Sequence, residues 1–405
     1  MSMIKVAIFG YGTVGCGVAD VIEDNKEVIK AKTGLDVEVK YILDIREFFG
    51  DKNEDKIVHD VQTIIDDPEI SICCETMGGK NAAYTFSKLA LEKGKSVCTS
   101  NKELVEAYGT ELIELAKANK CNYMFEASVG GGIPVIRNIN QCLIADQIEG
   151  ITGILNGTTN YMLTKMELEG AEYEVVLKEA QDKGYAEKDP TADVEGHDAG
   201  RKIAILSSLM CGKTVLYDKL YVEGISKISS KDFMYAKKTG MSIKLFGKSI
   251  QTKDGVSAMV APHMVDSNHK LHMVKDVFNG ILIKANMLGD FMLYGAGAGS
   301  LPTASAVVTD ALVAAMNIGN HVTCNWSKEE ATLTSIDETS KKFFMRISIR
   351  EEEVARRVFP NAQVIYVDGL DDKECGVITD VITEKDFKIK KQSFGSVLSV
   401  IRIDV

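Results

Sequence analysis

The sequence predicts an α/β chain in three parts: an N-terminal doubly wound parallel sheet, a central α+β part, and a small C-terminal βαββαβ unit. Three observations predict it. Residues 4–22 read as a buried strand, a glycine-rich turn and a helix, and further strands and helices alternate through residue 135. Between residues 220 and 295 the strands alternate apolar with polar residues, and they read as one sheet with 147–155. The last 65 residues form a short self-contained alternation of strands and helices.

Composition narrows the function. The chain has 405 residues, 45% hydrophobic and 26% charged, which suits a globular protein of two or three domains. A net charge of −11 with no long basic segment argues against a nucleic-acid or acidic-membrane partner. No apolar run reaches the roughly 20 residues of a membrane span, and Ile4 opens directly into a strand without a signal-peptide core, so the expected location is the cytoplasm. Nine cysteines, with no CxxC pair, read as reduced thiols. The six histidines have no zinc-site spacing, and His269 and His272 read as surface or strand residues.

The first strand, Ile4 to Phe9, leads into Gly10-Tyr11-Gly12-Thr13-Val14-Gly15 and then a helix carrying Val18, Val21 and Ile22. Strand, GxGxxG and helix together form the dinucleotide fingerprint of a Rossmann-type sheet. Gly10 allows the tight turn, Gly12 lets a pyrophosphate approach the backbone, and Gly15 lets helix and strand pack. The second strand ends at Asp44, with Arg46 just beyond. An acid here holds the ribose hydroxyls of NAD, and an arginine accepts the 2′-phosphate of NADP. Both residues are present, so either cofactor fits; NADP is slightly preferred. The same two residues also fit a solvated turn. Later strands end in Thr76 and Gly78, in Asn101-Lys102, and in Glu126 with its glycine-rich turn. Ligands of such sheets lie beyond the carboxyl ends of the strands, so these residues are expected to face one cleft.

In the middle of the chain, Asn156-Gly157-Thr158 follows a strand and opens a helix. Such a start can bind a carboxylate or simply cap itself. The stretch GYAEKDPTADVEGHDAGRKIAIL (184–206) then predicts a helix from about Val194 to Met210 with Asp193 as its N-cap. Asp198 and Lys202 share one face of it, continuous with Ile205, Leu206 and Leu209. An ion pair on a stripe that also buries leucine is either structural or lines a cleft, because isolated buried charge is very unfavourable. In the second case Lys202 can move a proton, since desolvation lowers a lysine pKa.

GYGTVG, the Asn101-Lys102 pair, EASVGGGIP, ILNGTTNYML, AQDKGYAEKDPTADVEGHDAGRK and GAGAGSLPTASAVVTD occur in an order that resembles the homoserine dehydrogenase family over residues 1 to about 320. The resemblance implies reversible NAD(P)H-dependent reduction of L-aspartate 4-semialdehyde to L-homoserine. It implies Lys202, Asp198 and Lys102 as catalytic residues, and Glu187, Asp193, Asn156, Gly157 and Thr158 as substrate contacts. It adds Gly299 to the cofactor contacts and a structural Na+ on the backbone of Glu126, Val129, Gly131 and Ile133. It also implies assembly as a homodimer or homotetramer through a central sheet. The division it suggests is an NAD(P)-binding domain over 1–134, a substrate-binding and dimerisation domain over 135–320 with 295–320 packing back on the nucleotide domain, and a third domain over 340–405.

That third domain resembles an ACT regulatory domain in its element order. The Asp-x-Pro-Gly-Val turn usual after the first ACT strand is replaced by Arg350-Glu351-Glu352-Glu353, so a packing or oligomerisation role is expected at least as readily as amino-acid sensing. Two other readings share the fold: another NAD(P)-dependent semialdehyde or amino-acid dehydrogenase, and a non-catalytic nucleotide sensor. The intact order of Glu187, Asp193, Asp198 and Lys202 weighs against both.

Overall fold

The computed structural model describes residues 3–370 and 372–404. They fall into two compact units. The first holds the chain through Gln147 together with Ser208–Leu216 and Gly295–Glu330. The second holds Ile148–Ser207, Tyr217–Tyr294 and the chain from Ala331 onward.

The first unit is built on six parallel strands: β1 Met3–Phe9, β2 Asp36–Leu43, β3 Ile57–Val58, β4 Ile70–Glu75, β5 Ser96–Thr99 and β6 Tyr123–Met124. Their order is β3-β2-β1-β4-β5-β6, so the strand order reverses between β1 and β4. Dinucleotides bind at such a reversal. Val6 to Phe9 and Ile72 to Glu75 are almost wholly buried, which explains their unbroken apolar runs: helices cover both faces. The helix Thr13–Asp24 follows the glycine turn and packs on Ser300–Met316 through Val18 and Ala19 against Ala304, Val307 and Ala311.

The second unit holds one long sheet. Its strands are β7 Ile148–Ile154, β8 Tyr221–Val222, β9 Met241–Thr252, β10 Gly255–Asp266, β11 Phe278–Ala285, β12 Gly289–Ala296, β13 Ser340–Ser348, β14 Gln363–Ile365, β15 Glu374–Ile378, β16 Ile382–Thr383 and β17 Val397–Ile403. The main order is β12-β11-β7-β9-β10-β17-β13-β15-β14. The strands between 220 and 295 thus share a sheet with 148–154, as expected. In the C-terminal segment the order is β17-β13-β15-β14, with the two-residue β16 pairing β13 beside it. Its last strand β17 pairs parallel with β10 at His263↔Arg402 and Met264↔Ile403. The tail therefore extends the central sheet and covers an edge that would otherwise expose unpaired backbone. Arg346 on β13 reinforces the join, donating at 3.0 Å to Asp232 on the helix Ser230–Lys238 and at 3.2 Å to Glu374. Behind β13 the rings of Phe343 and Phe387 stack 3.9 Å apart.

Two local expectations change. Asp193 does not cap the long helix; it lies inside the single turn Thr191–Val194, and the long helix is His197–Cys211. Gly196, at φ +82°, breaks the two apart. His269 and His272 lie in the turn around Lys270–Met273 between strands, half-buried, with His269 capping that turn. No helix among the described residues is long and apolar enough to cross a membrane.

Candidate active site

The glycine turn after β1 has the geometry its residues promise. Gly10 has φ +91°. A Cβ on Gly15 would lie 2.0 Å from the Gly10 carbonyl oxygen, so only glycine lets the helix start so close to β1. A Cβ on Gly12 would meet nothing within 4 Å: the turn is open on the side where phosphate must approach. No side chain caps the helix Thr13–Asp24 at Gly12, and its first turn holds no acid, which suits an anion at its N–H groups. Val14 packs beside that helix start, and Ser300 Oγ donates to the Thr13 carbonyl at 2.6 Å just after Gly299, itself at φ +118°. Tyr11 is buried, its hydroxyl donating to Asp51 at 3.0 Å.

Asp44 and Arg46 act as one group. The carboxylate accepts from the Tyr11 N–H at 2.8 Å and from Arg46 Nε and Nη2, each at 3.0 Å. The Arg46 guanidinium beside it holds the Asp44 carboxyl down at about 2. Asp44 is 7% exposed and Arg46 58% exposed, so the arginine is the partner presented to solvent. Phe48 backs it, 4.9 Å from the guanidinium carbon.

Thr76, Gly78, Asn101 and Lys102 all follow the carboxyl ends of β4 and β5. Asn101 caps the helix Lys102–Ala118 through the Glu103 and Leu104 N–H groups, so Lys102 is its first residue. After β6, the Glu126 carboxylate accepts from the Ile136 and Arg137 N–H groups at 2.7 and 2.8 Å. Burial pushes its pKa to about 7, aided by the nearby Asp310 carboxylate. Each oxygen of the carboxylate thereby takes one backbone hydrogen bond. Val129, Gly131 and Ile133 are buried in the same turn; a Cβ on Gly131 would strike the Gly297 backbone at 2.6 Å.

The second unit holds the charged cluster that the 184–206 stretch announces. Lys202 Nζ donates at 2.8 Å to Asp198 Oδ2 and at 2.8 Å to the Leu155 carbonyl. Asn156 Nδ2 donates to the same Asp198 oxygen at 2.8 Å and to Asp193 Oδ1 at 2.7 Å. Asn156 Oδ1 meanwhile caps the helix Gly157–Glu169 by accepting from the Thr159 N–H at 2.8 Å. Gly157 is obligatory here, since a Cβ would approach the Val277 carbonyl oxygen to 2.7 Å. Thr158 Oγ1 donates to the Tyr185 carbonyl at 2.6 Å. Asn156, Asp193, Asp198 and Lys202 thus form one hydrogen-bonded set, while Glu187 lies on the exposed loop before it. Below the pair, Ile205, Leu206 and Leu209 are buried. The Leu155 carbonyl, which fixes Lys202, escapes sequence reasoning because it is backbone.

A dinucleotide-type sheet, in a chain that also shelters a lysine beside a carboxylate, points to the class: a nicotinamide-dependent oxidoreductase, in which the cofactor carries the hydride. Comparison with known proteins agrees. The sequence model of the homoserine dehydrogenase NAD-binding domain matches residues 10–126, and that of homoserine dehydrogenase matches residues 134–312. The homoserine dehydrogenase of Bacillus subtilis is 39% identical over 87% of this chain and 83% of its own. That of Neisseria gonorrhoeae is 36% identical over the same shares, 87% and 83%. The crystal structure of a homoserine dehydrogenase from Thiobacillus denitrificans superposes with a TM-score of 0.89 at 31% identity, covering 100% of this chain and 98% of that one. A hyperthermophilic archaeal homoserine dehydrogenase mutant in complex with NADPH matches 78% of this chain and 98% of its own at 28% identity, with a TM-score of 0.66. The chain belongs to the homoserine dehydrogenase family and is an NAD(P)-dependent enzyme of it.

Proposed function

We propose that this chain interconverts L-aspartate 4-semialdehyde and L-homoserine, ahead of threonine, methionine and isoleucine synthesis, with NADPH preferred and NADH tolerated. The observation that carries the mechanism is the Lys202 ammonium, held between Asp198 and the Leu155 carbonyl at 2.8 Å each. Lys202 gives its proton to the aldehyde oxygen as the carbonyl carbon is reduced, and takes it back in the reverse direction. Asp198 keeps the ammonium aimed. Asp193 and Glu187 supply negative charge for the substrate ammonium, and Asn156, Gly157 and Thr158 form the helix start that receives the rest of the substrate. Lys102 is a second cation for the developing alkoxide.

The nicotinamide, when bound, supplies the hydride. Gly10 to Gly15 would receive its pyrophosphate, Thr76, Gly78, Asn101, Lys102 and Gly299 its further contacts, and Arg46 the 2′-phosphate, which its exposure and its aromatic backing favour. The turn through Glu126, Val129, Gly131 and Ile133 would hold Na+ by backbone carbonyls. The Ile133 carbonyl accepts one bond, from the Val135 N–H at 2.8 Å, and keeps a second lone pair for a cation. Neutral carbonyl donors suit a monovalent ion. With this reading go the division at 1–134, 135–320 and 340–405, an ACT-like third domain, and a homodimer or homotetramer working in the cytoplasm.

Purified protein given aspartate semialdehyde and NADPH should consume the nicotinamide absorbance, faster than with NADH. Absence of turnover with either cofactor, or a Lys202→Ala variant as active as wild type, would overturn the reading.

A further inference from the structure

Glu75 ends β4 and is completely buried, yet among the described residues no basic side chain forms a salt bridge with it. Its carboxyl is instead the hub of a closed ring of hydrogen bonds. Glu75 Oε1 accepts from the Met77 N–H at 2.8 Å. Glu75 Oε2 accepts from Thr99 Oγ1, at the end of β5, at 2.5 Å. Thr99 Oγ1 in turn accepts from the Asn101 N–H at 2.9 Å. Asn101 Nδ2 closes the ring on the Gly79 carbonyl at 2.6 Å and the Met77 carbonyl at 3.3 Å. Asn101 Oδ1 caps the helix that begins at Lys102.

The ring also reaches the glycine turn. Met77 packs so closely on Gly10 that a Cβ there would lie 2.8 Å from Met77 Cγ, and Thr76 Oγ1 donates to the Gly10 carbonyl at 2.8 Å. One carboxyl thereby ties together the turn after β1, the loop after β4 and the helix start after β5.

A buried carboxyl is a demanding way to hold a fold, since hydrocarbon packing would avoid the desolvation. Its use here makes sense where three loops must keep fixed relative positions. We propose that Glu75 is a positioning residue: through Thr99 and Asn101 it sets the first turn of the Lys102 helix, and with it the Lys102 side chain, against the glycine turn. This rests on the role given to Lys102 above.

The test is a double-mutant cycle in the whole 405-residue chain. Thr99→Val removes the hydroxyl that relays Glu75 to Asn101 and keeps the shape of the side chain. It should lower kcat by about 10- to 100-fold, as small misplacements of a reacting group do, with KM for substrate nearly unchanged. Glu75→Ala should do the same. Glu75→Gln retains an acceptor for the Met77 N–H, and its amide can donate to Thr99 Oγ1 once that hydroxyl turns away, so it should lose less kcat than Glu75→Ala. In a Lys102→Ala background, Thr99→Val should add little further loss, because both act through the same ammonium. If the two losses multiply instead, Glu75 does not act through Lys102 and the positioning proposal fails alone. If Lys102→Ala by itself leaves kcat/KM unchanged, the role of Lys102 fails and takes the proposal with it. Should Glu75→Ala not fold, Thr99→Val and Glu75→Gln carry the same decision.

Discussion

Lys202 Nζ lies 2.8 Å from Asp198 Oδ2, one turn away on the same helix, with 11% and 7% of their side chains exposed. On an open helix face such a pair would add only about 0.3–0.5 kcal/mol. Sheltered, and shared with Asn156 and Leu155, it is a fixed ammonium. Lys202→Arg separates charge from proton transfer, since arginine keeps its proton at any working pH. The expected outcome is a kcat lower by about 10²- to 10⁴-fold, the usual contribution of general acid–base catalysis, with a melting temperature close to wild type. Wild-type kcat in Lys202→Arg would show that Lys202 supplies charge only.

Asn156 does two jobs with one amide: its oxygen caps the helix Gly157–Glu169, and its nitrogen holds Asp193 and Asp198. Asn156→Ala loses both, with a capping loss of about 1 kcal/mol visible in thermal unfolding. Asn156→Asp keeps a capping oxygen but puts a third carboxylate against two others. It should therefore unfold later than Asn156→Ala yet fall further in kcat/KM. Measuring Tm and kcat/KM for both variants checks the opposite ranking of the two effects.

Because Arg46 is exposed while Asp44 is occupied by it, loss of the arginine should act on one cofactor only. Arg46→Ala is expected to raise KM for NADP+ by about 10- to 100-fold, the worth of charge-assisted contacts to a phosphate. KM for NAD+ should hold or fall, since Asp44 is then released toward a ribose. Parallel assays with the two cofactors decide it; equal losses for both would remove Arg46 from 2′-phosphate recognition.

These sites differ in how far the sequence exposes them. GYGTVG lies between a buried strand and a helix, and local pattern alone gives strand, turn and helix there. The Asp198–Lys202 pair is likewise visible, because spacing of four on a helix is spatial adjacency. The break at Gly196 is less so: the apolar pattern runs smoothly across it, and only the positive φ of one glycine divides the two helices. The joining of β17 to β10 could not be read at all, since it pairs Arg402 with His263 across nearly 140 residues and depends on which edge is left open. Glu75 escapes sequence reasoning for a similar reason. At the end of an apolar strand it looks like the start of a solvated turn, and only the register that sets Glu75 beside Thr99 shows it enclosed.

The buried carboxyls give stability a pH dependence with a definite sign. Burial raises Glu75 and Glu126 from 4.5 to about 7 and Asp310 from 3.8 to about 6. In each, the folded form holds a proton that the unfolded chain has already released. The folded state therefore binds more protons across this window, and stability falls as pH rises from about 4.5 to 7. Asp44 works the other way: its contribution is complete above 3.8 and is lost only as pH falls toward about 2, so it does not cancel the trend. Glu75→Gln isolates one term. The amide cannot ionise, so any change in packing or hydrogen bonding shifts its stability equally at every pH. The wild-type carboxyl alone must ionise against burial, a penalty of about 3 kcal/mol once pH exceeds its folded pKa. The melting temperature of Glu75→Gln minus that of wild type should therefore become more positive by a few degrees between pH 5 and pH 8. A difference that stays constant across that range would mean that Glu75 titrates as an ordinary carboxyl, and that burial of its ring is not maintained in solution.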